Sequence, residues 1–259
     1  MVRTQTQAFL TALAERGRLV SAVEANAIGA ELGLDAGSVR LALHRLNRDD
    51  FLKRVRRGFY VVTPPGVSPP PALVIGSALT ENAAISGWAA LHHHGLTEQL
   101  PRVTEVMTTS RVRRLPVVDG RQLLTFEGER FEVFAVTAAR MFGVEDVWFD
   151  NERARILDRE RALLEVFIRP GTFGGLETAL EMLEEHNEIA RDRLVKHALK
   201  LGVASVCKRV GWSLENTGAP VELLKPLLKV RATSYSLLDP SRPARGVRRS
   251  RWHLRENLS

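Results

Sequence analysis

Arg40, His44, Arg45 and Arg48 fall within one short stretch, and Lys53, Arg54, Arg56 and Arg57 follow within five residues. These are long cationic or polar side chains that reach phosphates, and from a helix face they also reach base edges. The positioning element is legible beside them. Val39, Ala42, Leu43 and Leu46 stand at i, i+3, i+4 and i+7, which predicts a helix with one buried stripe. Asp35 is its expected N-cap after the turn Gly33-Leu34-Asp35, and Ala27, Ile28 and Leu32 mark a preceding helix. Leu52–Val55 and Phe59–Val62 read as two strands joined around Arg56-Arg57-Gly58, and Thr4–Arg16 as a third helix. Together these predict a winged helix-turn-helix in which Ser38 and Arg40 read bases. His44, Arg45, Arg48, Lys53, Arg54, Arg56 and Arg57 then complete the DNA-facing set, with the wing on phosphates. The competing reading is a small helical unit with a solvated charged face.

Other constellations carry less. His92-His93-His94 cannot converge on one ion while a helix persists, because successive side chains point about 100° apart. No metal site is therefore expected, nor any cofactor. Phe173-Gly174-Gly175 precedes a helix but lacks the lysine and spacing of a nucleotide-binding loop. Glu127, Glu129 and Glu132 lie in a β-rich stretch without lysine from Leu73 to Met182, which points away from a nuclease and towards a non-enzyme. Cys207, the single cysteine, sits at helical spacing with Val203, Val206 and Val210, as a buried structural thiol would. It suits a reducing cytoplasm, and no apolar run is long enough to span a membrane.

The net charge of +7 is uneven. Residues 1–65 hold ten Lys and Arg against six Asp and Glu; residues 225–259 hold nine against two. Two basic ends predict two surfaces for a polyanion. The second would carry Arg242, Arg245, Arg248, Arg249 and Arg251, with Trp252 and Leu254 anchoring an alternating strand over Arg251–Arg255; a solvated tail is the alternative. Thr63–Pro71 has five prolines in nine positions. That composition predicts a winged helix at 1–63, a linker at 64–71 and a larger mixed domain at 72–259. Within the larger domain, a helix is expected over Glu81–His94. Strands are expected over Val103–Met107, Leu115–Val118, Gln122–Phe126, Arg130–Val136 and Val147–Phe149, with turns at Asp119-Gly120 and Glu127-Gly128. Helices follow at Arg159–Ile168, Leu176–Glu185, Ala190–Leu201, Val203–Leu214 and Val221–Leu228, then a strand at Tyr235–Leu238. The class is α+β with a small sheet and several helices.

Ile85-Ser-Gly-Trp-Ala-Ala-Leu-His-His-His-Gly-Leu-Thr-Glu-Gln-Leu-Pro101 resembles the signature helix of the AbiEi-type antitoxins of abortive-infection type IV toxin–antitoxin pairs. Asp158–Leu164 with Pro170 and Gly174-Gly175, Lys208–Glu215, and Leu238-Asp239-Pro240 with Arg251-Trp252 and Asn257 resemble the family's later blocks in order. Ala84, Gly87 and Glu165 depart from its pattern. The resemblance implies an autorepressor that binds duplex operator DNA. It also implies a functional partner, a nucleotidyltransferase-like toxin, with direct contact left open. His93, Glu98, Gln99, Lys208 and Arg209 are the candidate exposed positions for neutralisation. Two other readings stand beside it: an ordinary transcriptional regulator whose C-terminal domain senses a ligand, and an enzyme acting on nucleic acid.

Overall fold

The computed structural model describes residues 2–66, 68–112, 117–118, 121–230 and 232–258. Along the chain run α1 (Val2–Arg16), β1 (Leu19–Ser21), α2 (Ala22–Glu31), α3 (Ala36–Arg48), β2 (Leu52–Arg56), β3 (Phe59–Val62), α4 (Ala72–Ala78), β4 (Ala83–Ser86) and α5 (Gly87–His93). Then come β5 (Thr104–Thr108), β6 (Val117–Val118), β7 (Arg121–Phe126), β8 (Glu129–Ala135), β9 (Val144–Phe149) and β10 (Glu152–Leu157). The helices α6 (Arg159–Ile168), α7 (Glu177–Glu185), α8 (Arg191–Leu201), α9 (Ala204–Asn216) and α10 (Val221–Val230) precede β11 (Ser236–Leu237), β12 (Val247–Arg249) and β13 (Leu254–Glu256). The class is mixed α+β. No helix among the described residues is long and apolar enough to cross a membrane.

Contacts divide the chain into two units: Met1–Ile85 with Val106–Ala135 and Asp146–Ile156, and Ser86–Glu105 with Val136–Glu145 and Leu157–Ser259. In the first, α1 to α3 enclose a core of Phe9, Leu10, Leu13, Ile28, Val39, Leu43, Leu46 and Leu52. A three-stranded antiparallel sheet in the order β1-β3-β2 flanks it. Helix α2 starts in a capping box, Ser21 with Glu24, and α3 starts at Asp35, whose carboxylate accepts the Ser38 N–H at 2.7 Å. Gly29 permits the close crossing of α2 on α3, since a Cβ there would stand 2.2 Å from Val39 Cγ2.

The proline-rich stretch expected to separate domains lies inside this first unit. The reason is electrostatic. Arg18 donates to Glu152 through its backbone N–H at 2.8 Å and its guanidinium at about 3 Å, Lys53 lies 3.4 Å from Glu127, and Arg56 Nε donates to the Ala78 carbonyl at 2.7 Å. The sheet expected to be small has seven strands, in the order β6-β7-β8-β5-β4-β10-β9. Four of the strands, β1, β4, β10 and β12, have no counterpart in the sequence reading. Ala83–Ser86, expected to open a helix, is instead β4, buried along its whole length and parallel to β10 through Ile85 and Ile156. A strand covered on both faces shows a continuous apolar run rather than alternation. The expected turn at Glu127-Gly128 has φ of +50° and +84°, as a two-residue hairpin needs. The strand expected over Leu115–Val118 falls only in part, and the turn Asp119-Gly120 not at all, on described residues.

In the second unit α6 packs against α5, α7, α8 and α9, and every residue from Glu160 to Phe167 is buried. The C-terminal segment is folded, though the expected strand at Arg251–Arg255 is shifted: residues 251–253 form a turn and β13 begins at Leu254. Trp252 is 1% exposed, donates to Glu215 Oε2 at 2.6 Å and covers Gly211, where a Cβ would meet its ring at 2.2 Å. Asn257 closes the segment by exchanging hydrogen bonds with the Asp239 backbone at 2.9 and 2.7 Å. Replacing Trp252 with Ala should therefore cost about 3–5 kcal/mol, lowering the melting temperature by roughly 10 °C. Thermal unfolding followed by circular dichroism checks this, and an unchanged midpoint would mean the segment is a tail.

Candidate nucleic-acid interface

Helix α3 buries Val39, Ala42, Leu43 and Leu46 and presents Ser38, Arg40, Leu41, His44 and Arg48 to solvent, with Arg45 half-buried at the stripe's edge. The Asp35 carboxyl is held below its ordinary range by the Ser38 backbone N–H and then by the Ser38 hydroxyl, so the cap stays charged and the first turn stays ordered. Arg48 is held by the adjacent Asp49, Nε to Oδ1 2.9 Å, in an exposed pair that a phosphate can displace.

The hairpin sorts its four cations into two kinds. Arg54 and Arg57 are exposed, with Arg57 beside Gly58, whose φ of +75° makes the turn. Arg56 is turned inward. Beyond its bond to the Ala78 carbonyl, its guanidinium lies 3.8 Å over the Phe59 ring, and Glu81 stands 4.0 Å away. Lys53 lies 3.4 Å from both Asp50 and Glu127, and these charges, Glu127 first, raise its pKa. The cluster that looked like four free cations thus leaves two outward. Arg40, Arg45, Arg54 and Arg57 make no ion pair with any described residue. They share one unit with His44 and offer donors to an approaching anion.

The second basic set is also mostly partnered. Arg242 reaches Glu177 at 2.7 Å, Arg249 pairs with Glu256, and Arg251 lies 2.9 Å from Glu215. Arg248 sits 5.4 Å from the Tyr235 ring centroid, and Arg245 is exposed. Lys208 and Arg209, expected on the surface, are buried instead, at 0% and 6% exposure. Lys208 Nζ donates to the Ser234 carbonyl, and the Arg209 guanidinium donates to the Phe167 and Leu237 carbonyls at 2.9 and 3.4 Å. Carbonyls at strand and helix ends satisfy both cations, so their role is structural. His93 is half-buried, and burial followed by its histidine neighbours lowers its pKa. Glu98 and Gln99 are exposed and help line a groove of about 680 Å³ with Trp88, Phe173, Met182 and Glu185.

His92 Nδ1 lies 3.1 Å from the Thr97 carbonyl and His94 Nε2 2.7 Å from that of Leu157, so these two rings have separate partners. No group of three potential ligands comes together among the described residues. Cys207 is buried, its thiol directed at the Ala198 carbonyl and pushed up to about 11 by burial, which suits a packing role.

No protein-family model and no curated protein matches the sequence. In structure the chain is similar to the RV2827C protein from Mycobacterium tuberculosis, with a TM-score of 0.63 and 18% sequence identity over 97% of this chain and 90% of that one. At that identity the likeness concerns the fold.

The two arginines of the hairpin turn should separate in a melt. Arg56→Gln should lower stability by about 1 kcal/mol, or about 2–4 °C, through the lost charged hydrogen bond. Arg57→Gln should stay within roughly 0.5 kcal/mol of wild type, as an unpartnered surface residue does. Differential scanning calorimetry of both variants reads this directly.

Proposed function

We propose that the chain is a DNA-binding antitoxin without enzymatic activity, acting in the cytoplasm as the regulator of a type IV toxin–antitoxin pair. In this reading residues 1–63 are a winged helix-turn-helix: α3 enters the major groove of operator DNA, and the hairpin β2–β3 lies along the phosphates. One observation carries the DNA-binding half. Arg40, Arg45, Arg54 and Arg57 occupy a helix face and a hairpin tip with no ion pair among the described residues, although nearby Lys53 and Arg56 have found partners. The antitoxin half rests on the resemblance at Ile85–Pro101, Asp158–Gly175, Lys208–Glu215 and Leu238–Asn257. The partner is then a nucleotidyltransferase-like toxin, counteracted through the second unit.

A ligand-sensing regulator is the second reading, favoured by the groove of about 680 Å³ floored by Trp88 and Phe173. There Trp88 Nε1 donates to the Thr172 carbonyl at 3.3 Å, and the two rings lie 5.3 Å apart.

Replacing Arg54 and Arg57 with Ala in the full chain should weaken binding to duplex DNA of any sequence and lower the salt slope by about one unit per lost phosphate contact. Arg40→Ala should instead relax preference for the operator over random duplex by roughly 5- to 100-fold. Gel-shift titrations across a salt series measure both, and unchanged slopes in the double variant would end the wing assignment.

The two activities should also part in cells. With the cognate toxin expressed from a foreign promoter, the Arg54→Ala, Arg57→Ala variant should still restore growth, because repression no longer matters. Loss of rescue together with DNA binding would overturn the division of labour.

A further inference from the structure

A second groove, of about 700 Å³, lies in the first unit, on the inward side of the hairpin β2–β3 where Arg56 and Phe59 line it. Its walls are the end of α1 with β1 and the start of α2, the inner side of the hairpin β2–β3, the end of α4 with the segment after it, and the hairpin β9–β10. The residue that stands out is Trp148, 64% exposed on an edge strand of the seven-stranded sheet, while the other three tryptophans are buried or half-buried. A tryptophan this open is unusual, because its large apolar surface is normally covered.

The charges around it are unequal in availability. Three carboxylates line the groove: Glu24 accepts the Ser21 N–H at 2.8 Å in the capping box, Glu152 holds Arg18 at 2.7 Å, and the exposed Glu81 stands 4.0 Å from Arg56, which also lines the groove. The cations are freer. Arg16 is exposed and makes no ion pair with a described residue. Arg153 is tied to Asp146 at 3.2 Å only through an exposed pair, which a phosphate outcompetes. Arg155 spends one N–H on the Ala83 carbonyl at 3.4 Å and keeps the rest of its fork. An open indole face beside arginines with spare donors is the chemistry of a base stacked on an aromatic ring with its phosphates held alongside. A duplex keeps its bases stacked on one another and cannot use the indole in this way.

We propose that this groove binds single-stranded nucleic acid, with Trp148 stacking on a base and Arg16, Arg153 and Arg155 holding the flanking phosphates. The site shares the inward-turned Arg56 and Phe59 of the hairpin β2–β3 but none of the outward residues of α3 or the hairpin, Arg40, Arg54 and Arg57 included.

The test uses the full-length chain and fluorescently labelled oligonucleotides of about twelve nucleotides, oligo(dT) and oligo(rU), with a random duplex as the third probe. Binding is read by anisotropy at low salt. Trp148→Ala and Arg153→Gln should each weaken single-strand binding, Trp148→Ala by roughly 5- to 100-fold, while Trp148→Phe keeps most of it. Duplex affinity should be unchanged in all three, and the Arg54→Ala, Arg57→Ala variant should show the reverse pattern. The ratio of the oligo(dT) and oligo(rU) arms assigns DNA or RNA as the source. Two outcomes overturn the proposal. One is single-strand binding that is absent or insensitive to Trp148→Ala. The other is a concentration-dependent dimer in sedimentation velocity that Trp148→Ala abolishes while oligonucleotide binding persists, which would give the surface to a second copy of the chain.

Discussion

The second unit depends on a line of charges buried inside it. Arg161, 1% exposed, meets Glu165 at 2.6 Å; Glu165 meets Arg169 at 3.2 Å; and Arg169 meets Glu105 at 3.0 Å. Each of the two carboxylates in this line is nearly inaccessible to water, and an uncompensated charge in such a place costs several kcal/mol. The line therefore sets where β5, α6 and the residues just after α6 can stand. Gly87 belongs to the same constraint: its φ is +60° and a Cβ would fall 2.0 Å from Glu105 Oε1. Gly87 and Glu165 thus meet at one carboxylate–guanidinium cluster, where a larger residue at 87 would strike the Glu105 end.

In the first unit the same rule works in the opposite direction. Around the hairpin β2–β3 the cations that reach distant partners are drawn inward, and the rest stay on the outer surface. Arg18, Lys53 and Arg56 fasten the N-terminal helices and hairpin to strands and helices far along the chain. Arg54 and Arg57, interleaved with them, have no such partner. A register shift between Arg54 and Arg56 breaks the strand's alternation, so Lys53 and Arg56 both reach partners while Arg54, and Arg57 in the turn, stay outward.

Much of this architecture is legible in the sequence wherever amphipathic periodicity and caps coincide. Helix α6 spans Arg159–Ile168 as its stripe predicts, and α3 starts from the predicted cap, Asp35. Legibility fails where tertiary partners decide. The inward turn of Arg56 needs the Ala78 carbonyl, and the burial of Lys208 needs the Ser234 carbonyl, 26 residues away. Neither partner leaves a local trace, because any residue can offer a backbone oxygen. Strand β10 was missed for a different reason: Glu152, Ala154 and Ile156 alternate correctly as its inner face, but the inner set opens on a glutamate that Arg18 neutralises. A buried carboxylate disguises an otherwise regular strand pattern. Trp148 lies on the expected strand Val147–Phe149, whereas Arg153 and Arg155 beside it belong to β10.

The partition of the chain has a consequence for its synthesis. The first unit is assembled from three separated stretches, and the last ends at Ile156. Arg18 leaves the ribosome 134 residues before Glu152. At translation speeds of about 5–20 residues per second, that interval is on the order of ten seconds. During it the basic N-terminal segment exists with its small hydrophobic core but without the acidic partner that later fastens it. Its cations are then most available to any polyanion nearby, the transcript being translated included.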